Sequence, residues 1–310
     1  MKWIKKGLIF CPDKNHEWMQ THAQVPFADK NNNIVRIYFG TRDSFNRTVT
    51  TYVDLAADNP KNILFKSDHY VLGLGETGQF DDCGAMPSWI VTKNNNKYLF
   101  YTGWNKGGTI PYKLAIGLAV SNDGGNSYKR IYQGPIMDRS IYDPIWCGQP
   151  SVMIENGKWK MWYLSSTKMK LVNGIPEPYY HVKYAESLDG MTWNRTGVVC
   201  IDYDEFTEAI GRPCVFKKAG IYRMFFSFRN LHNYRVDRTN SYRLGYAESK
   251  DGVNWVRMDN EVGIERSETG WDSEMMEYCS IYEHNNKLYM LYNGNGFGRS
   301  GFGYAVLEED

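Results

Sequence analysis

A phrase that recurs five times, a hairpin signature after its three middle copies, and two chain ends that complete one another predict an all-β fold. The predicted architecture is a five-bladed β-propeller of four-stranded antiparallel blades, with residues 1–310 as a single domain. The phrase is a small or polar residue, Pro, a short apolar run, a turn with Asn or Gly, and an aromatic-rich strand. It runs from Gln24-Val25-Pro26 to Ile37-Tyr38-Phe39, then from Ala85-Met86-Pro87 to Leu99-Phe100-Tyr101. The next copies run from Gly148-Gln149-Pro150 to Met161-Trp162-Tyr163 and from Gly211-Arg212-Pro213 to Met224-Phe225-Phe226. The fifth, Met276-Glu277-Tyr278-Cys279 to Met290-Leu291-Tyr292, is read with Tyr278 in the place of Pro. That alignment gives spacings of 61, 63, 63 and 65 residues.

The second signature is Leu118-Ala119-Val120-Ser121-Asn122-Asp123-Gly124, then Tyr184-Ala185-Glu186-Ser187-Leu188-Asp189-Gly190, then Tyr246-Ala247-Glu248-Ser249-Lys250-Asp251-Gly252. Asp-Gly between two strand-like runs marks a hairpin, because Gly tolerates the positive φ that the turn requires. Each unit therefore reads as Pro strand, aromatic strand, Ala-x-Ser strand and Trp strand. The fifth unit stops at its third strand, Gly303-Tyr304-Ala305-Val306-Leu307. Trp3-Ile4-Lys5-Lys6-Gly7-Leu8-Ile9 resembles Trp193-Asn194-Arg195-Thr196-Gly197-Val198-Val199. Residues 2–10 are thus expected to close the ring as the outer strand of the last blade, hiding an edge that would otherwise stay unpaired.

Composition narrows the function classes. Lys and Arg number 36 against 35 Asp and Glu, so the net charge of +1 argues against an electrostatic hold on nucleic acid or anionic membrane. No apolar run has the length of a membrane span, and the basic start lacks the apolar stretch of a signal peptide. Six Cys without CxxC spacing read as free thiols in a reducing cytoplasm, the expected location. On the same ground the sequons at Asn46 and Asn194 carry little weight. Aromatic residues make up 15% of the chain, a richness that suits pleated faces and carbohydrate-stacking surfaces.

In an up-and-down blade, the loops entering the innermost strand share a face with those joining strands two and three. Here those loops are long and rich in chemistry, so function belongs to that face around the central funnel. The first set carries acids: Asp81-Asp82 before Pro87, Asp143 before Pro150, Glu205 and Glu208 before Pro213, and Asp272, Glu274 and Glu277 in the fifth unit. His22 precedes Pro26, and Gln149 and Arg212 stand directly before their Pro. The second set adds Arg42-Asp43, Trp104, Ser165-Ser166 and Arg229-Asn230. Flat rings stack on a pyranose, and forked donors bind hydroxyls, carboxylates or phosphates. Glycoside cleavage needs two carboxyl groups across the scissile bond, one protonated and one ionised, and burial can separate their pKa values.

On the Pro strand followed by Gly-Lys-Trp-x-Met-Trp-Tyr, and on the Ser-x-Asp-Gly-x-x-Trp hairpins, the whole chain resembles the five-bladed propeller glycosidases. That broad group contains arabinanases, xylosidases, invertase-like fructosidases and mannoside phosphorylases. The resemblance implies an Asp base, an Asp that tunes its partner's pKa and a Glu acid on inner strands of different blades. The positions two before Pro, often acidic in that pattern, are Gln24, Ala85, Gly148, Gly211 and Met276 in this alignment. The acids are then expected from the loops just upstream: Asp82, Glu208 and Glu277 as catalytic residues. Arg42, Asp43, Trp104, Asp143, Gln149, Arg212, Arg229 and His22 are expected to bind substrate.

Each assignment has a structural rival. Asp82 beside Asp81 could cap a turn, Asp143 before Pro144 could begin one, and Glu208 and Glu277 could pair with Arg212. Arg42 and Arg229 could pin neighbouring blades, and a lone His commonly bonds locally. Gly73-x-Gly75-x-x-Gly78 matches a dinucleotide fingerprint but has no helix after it. No Walker loop, HExxH or zinc-spaced Cys/His pair is present, so neither metal nor cofactor is expected. The resulting expectation is glycosidase-like carboxylate chemistry on a carbohydrate or glycoconjugate, with no nucleic-acid or membrane partner. The alternatives are a non-catalytic carbohydrate-binding propeller, a glycoside phosphorylase and a glycan-biosynthesis enzyme.

Overall fold

The computed structural model describes residues 1–205 and 207–308. Phe206, in the acidic loop before Pro213, and residues 309–310 of the expected domain lie outside them. The chain is all-β, with a four-residue helical turn at Asn295–Gly298 and a 3₁₀ turn at Asp259–Glu261 as its described helices.

Strand β1 (Trp3–Phe10) is followed by β2 (Thr21–Asn31), β3 (Ile34–Arg42), β4 (Thr48–Ala56) and β5 (Ile63–Lys66). Next come β6 (Gly84–Lys93), β7 (Asn96–Lys106), β8 (Tyr112–Ser121) and β9 (Lys129–Arg130). The third run is β10 (Trp146–Glu155), β11 (Lys158–Val172), β12 (Ile175–Ser187) and β13 (Asn194–Ile201). The fourth is β14 (Ala209–Lys218), β15 (Ile221–Arg229), β16 (Arg243–Ser249) and β17 (Val256–Arg257). The last is β18 (Glu277–His284), β19 (Lys287–Asn293) and β20 (Phe302–Leu307). From β2 onward, successive strands within each run pair antiparallel.

β1 supplies the fourth strand of the last sheet. It pairs antiparallel with β20, Trp3 opposite Leu307 and Phe10 opposite Phe302. Trp3 and Phe10 are buried and anchor this strand by its two ends, while its middle alternates outward. The Pro strands pack on one another in cyclic order: β2 on β6, β6 on β10, β10 on β14, β14 on β18 and β18 on β2. β10 and β14 are buried along their first seven residues on both faces, as strands packed between neighbouring sheets must be.

The hairpin signatures fold as their residues dictate. Gly124, Gly190 and Gly252 have φ near +80°. Asp189 accepts the backbone N–H groups of Met191 and Thr192 at 2.8 Å each, and the Ser187 hydroxyl donates to it at 2.9 Å. Asp251 repeats this with Val253, Asn254 and Ser249. Both are Asx turns that hold the chain for the next strand.

One local device shapes the inner face. The residue before Pro, or before its counterpart, has positive φ in four units: Val25 (55°), Gln149 (47°), Arg212 (53°) and Tyr278 (55°). Each sits in a register shift, between Gln24 and Phe27, Gly148 and Ser151, Gly211 and Cys214, or Glu277 and Ser280. A bulge of this kind bends the strand and re-aims a side chain. It also fixes the alignment of the fifth unit. Glu277 opposes Asn293 as Gly211 opposes Ser227 and Gly148 opposes Leu164, so Cys279, not Tyr278, takes the place of Pro. The alignment read from the sequence is therefore one residue out in that unit: the position two before Pro is Glu277, not Met276.

Candidate functional site

A cavity of about 640 Å³ opens where the inner strands begin and the loops between second and third strands converge. Val25, Gln149 and Tyr278, three of the four bulge residues, line it. One wall is aromatic. Trp146 lies with its ring centroid 5.6 Å from Tyr180 and 6.0 Å from Tyr112, and Tyr242 stands 6.1 Å from Tyr278 and 6.2 Å from Tyr234. Trp104 and Phe297 complete this lining. Rings packed at tilted and edge-on angles present apolar surface while their hydroxyls find partners, as Tyr180 and Tyr242 do with each other.

The polar lining is cationic. Arg229 is 1% exposed, and its guanidinium lies 3.6 Å from the Tyr234 centroid. It donates to Tyr242 Oη at 3.1 Å and sits 3.8 Å from a carboxylate oxygen of Glu177. Glu177, 4% exposed, also pairs with Arg235 and accepts from Tyr234 Oη at 3.2 Å, so two arginines and a phenol hold this carboxylate. His22, Arg42 and Arg299 also line the cavity. His22 Nδ1 is 2.8 Å from Thr21 Oγ1. Burial first, then Arg42 and Arg299, lower its pKa to about 3, so His22 is neutral at pH 7.

Glu277 begins β18 directly beside Tyr278. It is wholly buried, and neither carboxyl oxygen makes a hydrogen bond of good geometry among the described residues, although the Tyr278 side chain is close enough to favour its charged form. Desolvation raises its pKa well above the carboxylate range, opposed by Arg229, Tyr278 and Arg42. Burial thus favours the protonated form of a carboxyl set beside a wall of the cavity, the form that a proton donor requires.

The structure brings together His22, Arg42, Trp104, Gln149 and Arg229 on the cavity wall, with Glu277 behind it. The other candidates lie elsewhere. Asp82 accepts the Gly78 N–H at 2.9 Å in its turn. Glu208 accepts from Tyr179 Oη at 3.0 Å and from the Leu231 N–H at 2.7 Å. Asp43 is taken up by the N–H groups of Phe45 and Arg47 and by the Arg47 guanidinium. Asp143 is fully buried between Arg195 at 3.0 Å, Lys183 at 3.6 Å and the Ser165 hydroxyl at 2.6 Å. Arg212 is fully buried and donates to the Ser88 carbonyl at 2.8 Å. Among the described residues, no Asp or Glu lines the cavity. At Gly211, the counterpart of Glu277 in the preceding unit, a Cβ would fall 2.4 Å from Leu164 Cδ1, so an acid there would need that side chain to move.

Sequence reasoning missed Tyr180, Tyr242 and Tyr278, as well as Arg235 and Arg299. Two signals were available. Tyr180 and Tyr242 each stand five residues before the Ala of the Ala-x-Ser phrase, as does Leu114, and all three line the cavity. Cys279-Ser280 matches Pro87-Ser88 and Pro150-Ser151, which gives the correct alignment of Glu277.

No family model matches the chain. Two proteins of Mycobacterium tuberculosis do. Uncharacterized protein MT1551 of strain CDC 1551 is 37% identical over 312 residues, covering 99% of this chain and all of the relative. Uncharacterized protein Rv1502 of strain H37Rv is 36% identical over the same span. The chain belongs to their family. Among solved structures, a glycosyl hydrolase from Bacteroides ovatus superposes with a TM-score of 0.74 at 16% identity, over 99% of this chain and 94% of that one. A second glycoside hydrolase gives 0.73 at 16% identity, over 98% and 90%. A thermostable family-43 glycoside hydrolase gives 0.66 at 17%, over 94% and 91%. The fold is that of the β-propeller glycoside hydrolases.

Proposed function

We propose that the five four-stranded units close as a single five-bladed propeller and that the chain acts on a glycoside in the axial cavity, with Glu277 as proton donor. The cyclic packing of the Pro strands and the pairing of β1 with β20 support the ring. The observation that carries the chemistry is the buried, unpartnered Glu277 carboxyl beside an aromatic, cationic cavity. In the reaction, substrate binding must open the Tyr278 wall so that Glu277, which does not line the cavity, passes its proton to the leaving oxygen as the glycosidic C–O bond breaks, while a nucleophile on the opposite face forms the new bond to the anomeric carbon. No carboxylate on the described wall faces Glu277 to activate water. The nucleophile is then one that needs no protein base, an acceptor that enters with its own negative charge. The same lack favours a second reading, a carbohydrate-binding propeller without turnover.

Incubating the protein with nitrophenyl glycosides and oligosaccharides, with and without inorganic phosphate, separates these readings. Turnover that Glu277→Gln lowers at least 100-fold supports the enzyme. Saturable binding of the same sugars without turnover supports the binding propeller, and an active Glu277→Gln variant removes Glu277 from the mechanism.

A further inference from the structure

We infer that His22, Arg42 and Arg299 form an oxyanion subsite at one side of the cavity, and that the ligand seated there carries a phosphate group. This rests on the reading that the cavity binds a glycoside, and it adds the chemical class of that ligand. The three side chains come from separate segments: His22 from β2, Arg42 from the end of β3, and Arg299 from the turn after Asn295–Gly298. All three line the cavity, and Asn46 from the loop after β3 joins them.

Neither guanidinium has an ion pair among the described residues, and Nε of Arg42 is buried without a hydrogen-bond partner. The carboxylates that could neutralise them are engaged elsewhere or fully buried. Asp43, next to Arg42, is bonded to Arg47 and to two backbone N–H groups. Glu177 is held by Arg229 and Arg235, and the full burial of Glu277 disfavours its charged form. Two cations are therefore left facing the same space. Arg299 acts on both Arg42 and His22, and this crowding of positive charge adds to burial in keeping the imidazole neutral. An arrangement that costs the empty protein electrostatic repulsion is relieved by a ligand with charge near −2 and several acceptor oxygens. Phosphate meets that requirement, and paired guanidinium forks suit its geometry. A single carboxylate offers half the charge. The rings of Trp146, Tyr180 and Tyr242 in the same lining supply apolar surface for the sugar.

The phosphate could be a substituent of the sugar or free inorganic phosphate. Calorimetric titration of the whole chain with glucose, glucose 1-phosphate, glucuronate and inorganic phosphate distinguishes the two. Binding of glucose 1-phosphate at least tenfold tighter than glucose and glucuronate, weakened tenfold or more by Arg299→Gln, is the expected result. Arg299 is exposed, so this variant keeps its fold, and a melting curve checks it. Arg42→Gln repeats the test from the second cation. Inorganic phosphate binding as tightly as the sugar phosphate, and equally sensitive to Arg299→Gln, assigns the site to free phosphate. Weak inorganic phosphate binding beside tight sugar phosphate binding assigns it to a substituent. Equal affinities for glucose and both phosphate ligands, or affinities indifferent to both Arg variants, overturn the subsite. Phosphate binding that survives in a protein without glycoside turnover leaves the subsite standing and removes only the catalytic reading.

Discussion

Glu277 shows how one residue's surroundings decide its chemistry. Asp272 and Glu283 of the same unit are paired with Lys5 and Lys218. The Glu277 carboxyl, by contrast, is sealed, unpartnered and set beside two cavity arginines. Its ordinary pKa is 4.5, and burial raises it well above that. An acid with a raised folded-state pKa contributes its stability below the unfolded value and loses it as pH rises, because the native chain then binds more protons than the unfolded chain. The neutral substitution Glu277→Gln removes that loss. Melting temperatures of the parent and E277Q, compared from pH 5 to pH 8, are expected to move in favour of E277Q. The change is bounded at about 1.4 kcal/mol per pH unit for one proton. A constant difference across the range would show that Glu277 is already ionised in the native protein.

At the scale of elements, the Asp-Gly turns and the Pro bulges do different work. The turns fasten the third strand to the fourth: Asp189 is held down to about pKa 2 by the Thr192 and Met191 backbone donors, with the Ser187 hydroxyl adding to them. Asp189→Ala should cost about 1 kcal/mol in chemical denaturation at pH 7, the typical value of such a local cap. That advantage of the parent is present above the ordinary value of 3.8 and should fade as the pH falls towards 2. The bulges instead aim Val25, Gln149 and Tyr278 at the cavity, at a backbone cost of roughly 1–3 kcal/mol for each residue held at positive φ. The turns were legible in the sequence because Asp and Gly are chemically particular to them. The bulges were not, since Val, Gln, Arg and Tyr at the same site share no side-chain property. Without them, the fifth unit was aligned one residue out. The loop acids Asp82, Glu208, Asp43 and Asp143 stood out for a related reason: a carboxylate ready for catalysis and one satisfying a turn or an ion pair are the same letter, and only the structure shows the local partners these four have.

Across the whole molecule, the repeat made the strand order readable, because every unit must bury the same faces against its neighbours. The cavity was readable only as a place. Its floor joins residues as far apart as His22 and Arg299, a juxtaposition set by packing between units rather than by any local pattern. The pairing of β1 with β20 makes a separate prediction. Removing residues 1–10 strips the outer strand from the last sheet and exposes the β20 edge with the surfaces that Trp3 and Phe10 cover. The truncated chain is expected to aggregate or lose its cooperative melt, seen by light scattering and differential scanning calorimetry. An unchanged melt would mean that the fold does not depend on this strand.

The direct test of proton donation by Glu277 is leaving-group dependence. A dinitrophenyl glycoside departs without protonation, whereas an alkyl glycoside does not. With a sugar that the parent turns over, Glu277→Gln should retain most of the rate on the activated leaving group and lose about 10²–10⁴-fold on the alkyl one. Equal losses on both, or none on either, would contradict the role assigned to this carboxyl.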